Sequence, residues 1–176
     1  MRSRLPKPQA ILQVYAVIVV MLSAWTITAF LWKLSAWLLV LNLGEIFAIF
    51  SYGMLTNLIE SIIVVLFLLS ICVLLPSHAL RDDFVVRGTI LAIGILGAMM
   101  TFVGLHMQFG METRSNVLIG PFIVVLLTAL LLGLSSKSRF LAIGISWISD
   151  RLTIFLFILL PLFVILSAYV IFRNIA

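Results

Sequence analysis

The sequence predicts an all-α, polytopic transmembrane helical bundle, and three observations carry that prediction. Of its 176 residues, 64% are apolar and only 10% are charged, whereas soluble domains run at about 45 to 50% apolar and about 25% charged. The apolar residues fall into runs on the order of 20 long, the length a helix needs to cross a hydrocarbon core about 30 Å thick. Between the runs there is room only for short connections, so 1–176 is expected to form one integral-membrane domain.

Taken in order, the first span is expected at Ile11 to Trp32, after a short arm with Pro6 and Pro8 and before Lys33. Its apolar run exceeds the roughly 7 to 15 residues of a signal-peptide core and ends in no small-x-small site, so it is expected to be retained. Trp25 and Trp32 suit its outer half, where indole rings favour the headgroup boundary.

The stretch Leu34 to Phe50 predicts an interfacial or re-entrant amphipathic helix. Ser35, Asn42 and Glu45 are separated by seven and three residues, which places them within about 80° of one another on a helix whose other faces are apolar. Gly44 and the run Ser51-Tyr52-Gly53 are expected to bend the chain into a second span, Met54 to Leu75, which stops at Pro76.

The third span, Val85 to Leu105, carries Gly88 and Ala92 four apart and Gly94 and Ala98 four apart. Small residues at that spacing let helix backbones approach closely in lipid, so these four form a candidate helix-packing face. The fourth span, Val117 to Leu134, is expected to hold Gly120 and Pro121 in its first turn, where a missing N–H does least harm. The fifth, Leu152 to Phe172, has Pro161 near its middle, where a kink is expected.

Charge sets the orientation, because cytoplasmic loops collect Lys and Arg. With five spans and an internal N-terminus, Arg2, Arg4, Lys7, Arg81, Arg87, Lys137, Arg139 and Arg151 lie inside, against Lys33, Arg114 and Arg173 outside. A sixth span through 34–53 would leave five inside and six outside. The expectation is therefore a cytoplasmic N-terminus and an external C-terminus. Compactness and the charge asymmetry suggest a prokaryotic cytoplasmic (plasma) membrane.

Glu60 is the most informative residue, since an acid within a span is costly unless paired, hydrated or protonated. Asn57 and Thr56 precede it by three and four residues on the same face. Glu60, Asn57 and Glu45 form a candidate intramembrane polar site, read either as an internal clamp or as an ion- or proton-handling centre. Asp82 and Asp83, between Arg81 and Arg87, could hold Mg²⁺ on a phosphorylated lipid substrate. The plainer reading is a solvated helix start beside anionic headgroups.

Other chemistries find little support. Cys72 is the only cysteine, which leaves no CxxC pair and no thiolate cluster, so it is expected to be a packing residue. His78 and His106 are expected on opposite sides of the membrane, so no shared metal or haem site is expected. No GxSxG turn is present. The cations are scattered instead of forming a basic patch, so no nucleic-acid partner is expected, and no cofactor is expected.

In length the chain is similar to four-span disulfide oxidases, which need paired cysteines, and to substrate-binding components of energy-coupling-factor transporters, which imply six spans. No motif ties it to either. The leading expectation is a non-catalytic accessory or scaffold subunit, in contact with membrane lipids and joined to other membrane proteins or to itself through Gly88, Ala92, Gly94 and Ala98. The alternatives are a small transporter or channel component using Glu60 and Asn57, and a lipid-linked-substrate enzyme using Asp82 and Asp83.

Overall fold

The computed structural model describes residues 5–74, 80, 83–109 and 114–175, with side chains at all of these except 106–109 and 114–118. Among the described residues five long helices follow one another: α1 (Pro8–Trp37), α2 (Leu43–Leu74), α3 (Phe84–Phe109), α4 (Arg114–Ser135) and α5 (Arg139–Ile175). Four of them are long and apolar enough to cross a membrane, and the stretch Ile119–Ser135 of α4 is a shorter apolar helix. This is the all-α, multi-span architecture expected from composition.

Helix starts follow local chemistry. Pro8 stands at the opening of α1, where its absent N–H would have had no helical partner and its fixed φ suits the first turn. Asp83 precedes α3, and its carbonyl accepts from Arg87 N at 3.0 Å. The turn from α1 to α2 spans residues 38–42 and ends in a reciprocal cap. Asn42 Oδ1 accepts from Glu45 N at 2.9 Å, and Glu45 Oε2 accepts from Asn42 N at 2.9 Å. Two helix-terminal donors are satisfied in one exchange.

That cap corrects one expectation. Leu34 to Phe50 does not form a separate amphipathic helix, because 34–37 complete α1 and 43–50 open α2. The spacing of Ser35, Asn42 and Glu45 is therefore not a stripe on one helix but a helix end followed by a cap. Nor do Ser51, Tyr52 and Gly53 bend the chain. Ser51 Oγ donates back to Phe47 O at 2.8 Å and Thr56 Oγ1 to Tyr52 O at 2.9 Å, so the hydroxyls are satisfied within the helix. Gly53 serves closeness, since a Cβ there would lie 3.3 Å from Thr26 Cγ2 on α1.

Two further boundaries differ from expectation. α4 begins at Arg114, so Pro121 lies inside the helix and not in its first turn. α5 begins at Arg139, ahead of the expected Leu152, and continues through Pro161. At 1.5 Å per residue α5 is about 54 Å long, well beyond the roughly 30 Å of hydrocarbon.

α1 is the central helix. Val14, Ala16, Val17, Ile18 and Val19 are all buried, Val14 and Ile18 completely, and consecutive burial means that the helix is covered on every side. One core cluster joins Val14, Ile18 and Leu22 to Val65 and Leu68 of α2 and to Ala92 and Leu96 of α3. A second joins Ala16 and Val19 to Met54 of α2 and to Leu156, Phe163 and Leu166 of α5. Hydroxyls supplement this packing: Ser149 Oγ donates to Ile145 O at 2.9 Å and lies 3.0 Å from Thr89 Oγ1, which links α5 to α3.

α4 packs chiefly on α3, and the small residues of α3 permit it. A Cβ on Gly94 would fall within 3 Å of three Thr128 atoms, and a Cβ on Gly120 would meet Leu105 Cδ1 at 2.6 Å. The outer face of α4, with Phe122, Ile123 and Leu126 exposed, is greasy in the way lipid contact requires.

The Gly94 contact makes a specific stability prediction. Gly94→Ala should lower the stability of the detergent-solubilised protein by about 1–3 kcal/mol through overpacking, and adding Thr128→Ala should recover part of that loss. Gly133→Ala, which meets nothing within 4 Å, should be neutral or slightly stabilising. Thermal melts of the three variants against the unaltered protein measure this, and an unchanged melt for Gly94→Ala would contradict the close approach.

Candidate functional site

Glu60 lies much deeper than a span beginning at Met54 would place it. With α2 starting at Leu43 and ending at Leu74, Glu60 sits about 26 Å along the axis from one end and about 21 Å from the other. It is near the middle of the helix. An acidic residue at the centre of a membrane-spanning helix costs about 2.5 to 3.5 kcal/mol on insertion scales, so its surroundings decide what it is for.

Those surroundings are a groove of about 520 Å³ between α2 and α3, floored by α1. Glu60, Ile63, Val64 and Phe67 supply one wall at the spacing of a single helical face. Ile95, Met99, Met100 and Val103 of α3 form the other, with Leu22 and Trp25 of α1 between them. Among the described residues Glu60 is the only ionisable side chain lining it, and it makes no hydrogen bond or ion pair with any of them. The volume falls within the roughly 300–1,000 Å³ of small-molecule pockets.

Asn57 has a different task. It is 5% exposed and turned toward α1, where its Oδ1 accepts from Thr26 Oγ1 at 2.9 Å and its Nδ2 donates to Leu22 O at 3.5 Å. One turn further along, Ser61 Oγ lies 3.2 Å from Tyr15 Oη. These bonds fix the register of α1 against α2. They bring Trp25 to within about one helical turn of Glu60 along the axis, where its ring lies at ordinary van der Waals distance, 3.5 Å, from where a Cβ on Gly104 would stand.

The remaining sequence-derived candidates are dispersed. Glu45 is engaged in the cap of α2, at the helix end opposite Leu74 and about 22 Å from Glu60 along the axis. Gly88 faces Val14 of α1, Gly94 faces Thr128 of α4, Ala92 is fully buried in the core and Ala98 is half-buried. The packing face is thus largely covered from within the chain. Cys72 is buried among α1 and α3 residues. Asp82 and His78, and the side chain of His106, lie outside the described residues, while Asp83 is exposed at the start of α3. No group of three or more His, Cys, Asp or Glu side chains converges among the described residues.

Phe67, Met99 and Met100 are not singled out by the sequence, and Trp25, expected at the headgroup boundary, lines the groove with Glu60 instead. The signal for the α2 wall was present in the i, i+3, i+4, i+7 spacing of 60, 63, 64 and 67. Its counterpart on α3 shows only once the helices are packed. Comparison with protein-family models, curated proteins and solved structures finds no match for this chain.

The double role of Asn57 can be measured. Asn57→Ala and Thr26→Val should each destabilise the protein, and a double-mutant cycle between them should give a coupling of about 0.6 to 1.7 kcal/mol, the range found for hydrogen bonds between membrane helices. Zero coupling would mean that the bond does not hold α1 to α2.

Proposed function

We propose that this multi-pass membrane protein is a membrane-embedded binding component of the transporter class, working through the groove at Glu60. One observation carries the reading: a carboxylate near the middle of α2 faces an otherwise apolar groove of ligand size with no protein partner among the described residues. Intramembrane acids that serve only structure are paired. Asn57 supports the site from behind by fixing helix register and takes no part in contacting the permeant species.

The leading expectation from sequence, an accessory or scaffold subunit, has less to stand on. Its motive was a small-residue face in need of a partner helix, and Gly88, Ala92 and Gly94 lie against α1, α4 and the core instead. An enzyme reading would depend on Asp82 and Asp83 together, of which Asp83 is exposed at the start of α3 and Asp82 lies outside the described residues. Orientation is supported by how the ends gather: Gln13 Nε2 donates to Asp150 Oδ1 at 3.0 Å, and Lys7, Asp83 and Ser146 border a common recess. The cations Lys7, Arg87, Arg139 and Arg151 therefore share one end, which we assign to the cytoplasm. At the other end, Arg173 donates to Gly44 O at 3.3 Å and Tyr52 Oη to Asn174 Oδ1 at 2.9 Å.

A photo-crosslinking amino acid at Met99, activated in native membranes, tests the reading. The expected product is a small-molecule adduct by intact-mass spectrometry, absent from a control position at Phe157 on the outer face of α5 and diminished by Glu60→Gln. A phospholipid adduct common to both positions, or a crosslinked second polypeptide at Met99, would overturn it.

A further inference from the structure

The chemistry of the groove specifies its occupant more narrowly than its shape does. We infer that it takes a lipophilic organic monocation, of the tertiary-amine, quaternary-ammonium or phosphonium kind, entering from the bilayer. This rests on the reading of the groove as a small-molecule site. Charge is the first reason: among the described residues Glu60 is the only ionisable side chain lining the cavity, so a single positive charge neutralises it. A dication would leave an uncompensated charge, an anion would be repelled, and a neutral apolar guest would leave the carboxylate unpaired in hydrocarbon.

The second reason is Trp25. It lines the groove at an axial level within about one helical turn of Glu60, and an aromatic ring sharing a cavity with a carboxylate is a pairing that recognises alkylammonium groups. The third is the rest of the lining. Apart from Glu60 and the Trp25 indole N–H there is no polar side chain in it among the described residues, so a polyhydroxylated or zwitterionic solute would be desolvated without compensation. Met99 and Met100 give the far wall a deformable surface suited to guests of varied shape.

A transmembrane helix with a basic residue is the competing occupant, and length disfavours it. The lining extends from Glu60 to Phe67 on α2 and from Ile95 to Val103 on α3, about 10 to 12 Å, against the roughly 30 Å over which a spanning helix runs.

Radiolabelled tetraphenylphosphonium and the anion tetraphenylborate have nearly the same shape and opposite charge, so they separate charge recognition from greasiness. With the full chain in lipid nanodiscs, tetraphenylphosphonium should bind saturably, and tetraphenylborate should not compete. Glu60→Gln should weaken binding tenfold or more, Glu60→Asp should retain part of it, and Trp25→Ala should weaken it several-fold while Trp25→Phe loses less. If Glu60→Gln does not fold, the Asp and Trp25 variants carry the comparison.

Equal binding of both ions, indifferent to Glu60 and Trp25, would overturn the cation assignment while a small-molecule adduct at Met99 still upheld the groove. Absence of saturable tetraphenylphosphonium binding would likewise overturn the cation assignment. Should that absence coincide with a polypeptide crosslink at Met99, the small-molecule site would fall as well.

Discussion

The arrangement depends on α1 being enclosed. A helix whose residues 14 to 19 are buried almost without interruption needs neighbours that supply mainly apolar surface on every side of that segment. In lipid the hydrophobic effect does little to bring helices together, so close packing and a few interhelical hydrogen bonds must do so. α2, α3 and α5 surround α1 on these terms, α4 is added to the outside of α3 at Gly94 and Gly120, and the hydrogen bonds from Asn57, Ser61, Gln13 and Thr89 set the registers.

The groove is a consequence of that packing. α2 and α3 both lie against α1 but touch each other little, and between them Leu22 and Trp25 of α1 form a floor. Because Asn57 is committed to α1, the next turn of α2 presents Glu60 to the gap, since three residues advance a helix by about 300° and leave neighbouring side chains on adjoining faces. One polar residue thus locks the helices together and the other is left open. Ser23 Oγ on α1 is the one buried side-chain oxygen or nitrogen without a hydrogen-bond partner among the described residues, and it does not line the groove.

Much of the architecture was legible in the sequence, for reasons that also explain where it was not. Span number and class follow from hydropathy, because a lipid solvent forces each apolar run to satisfy its own backbone. Boundaries were harder. Asn42 and Glu45 carry the signature of a capping box, but set three residues apart in an amphipathic stretch they also match a polar helix face, and only the chain's turn at 38–42 separates the two. Gly53 looked like a bend and is a close contact, a difference that lies in Thr26 on another helix. The spacing of Gly88, Ala92, Gly94 and Ala98 suggests a packing face, whereas what lies against Gly88 and Gly94 depends on tertiary placement. Glu60 stood out from sequence, but its depth followed only from the true start of α2, and the walls contributed by α1 and α3 had no local pattern to reveal them.

The account turns on Glu60 lying near the bilayer midplane. Nitroxide labels placed one at a time along α2, in a chain whose Cys72 is replaced by Ala, report depth by the ratio of collisions with oxygen to collisions with an aqueous nickel complex. That ratio should peak close to position 60 and fall toward both Leu43 and Leu74. A label at 60 as accessible to nickel as one at either end would place the carboxylate in water and contradict the account.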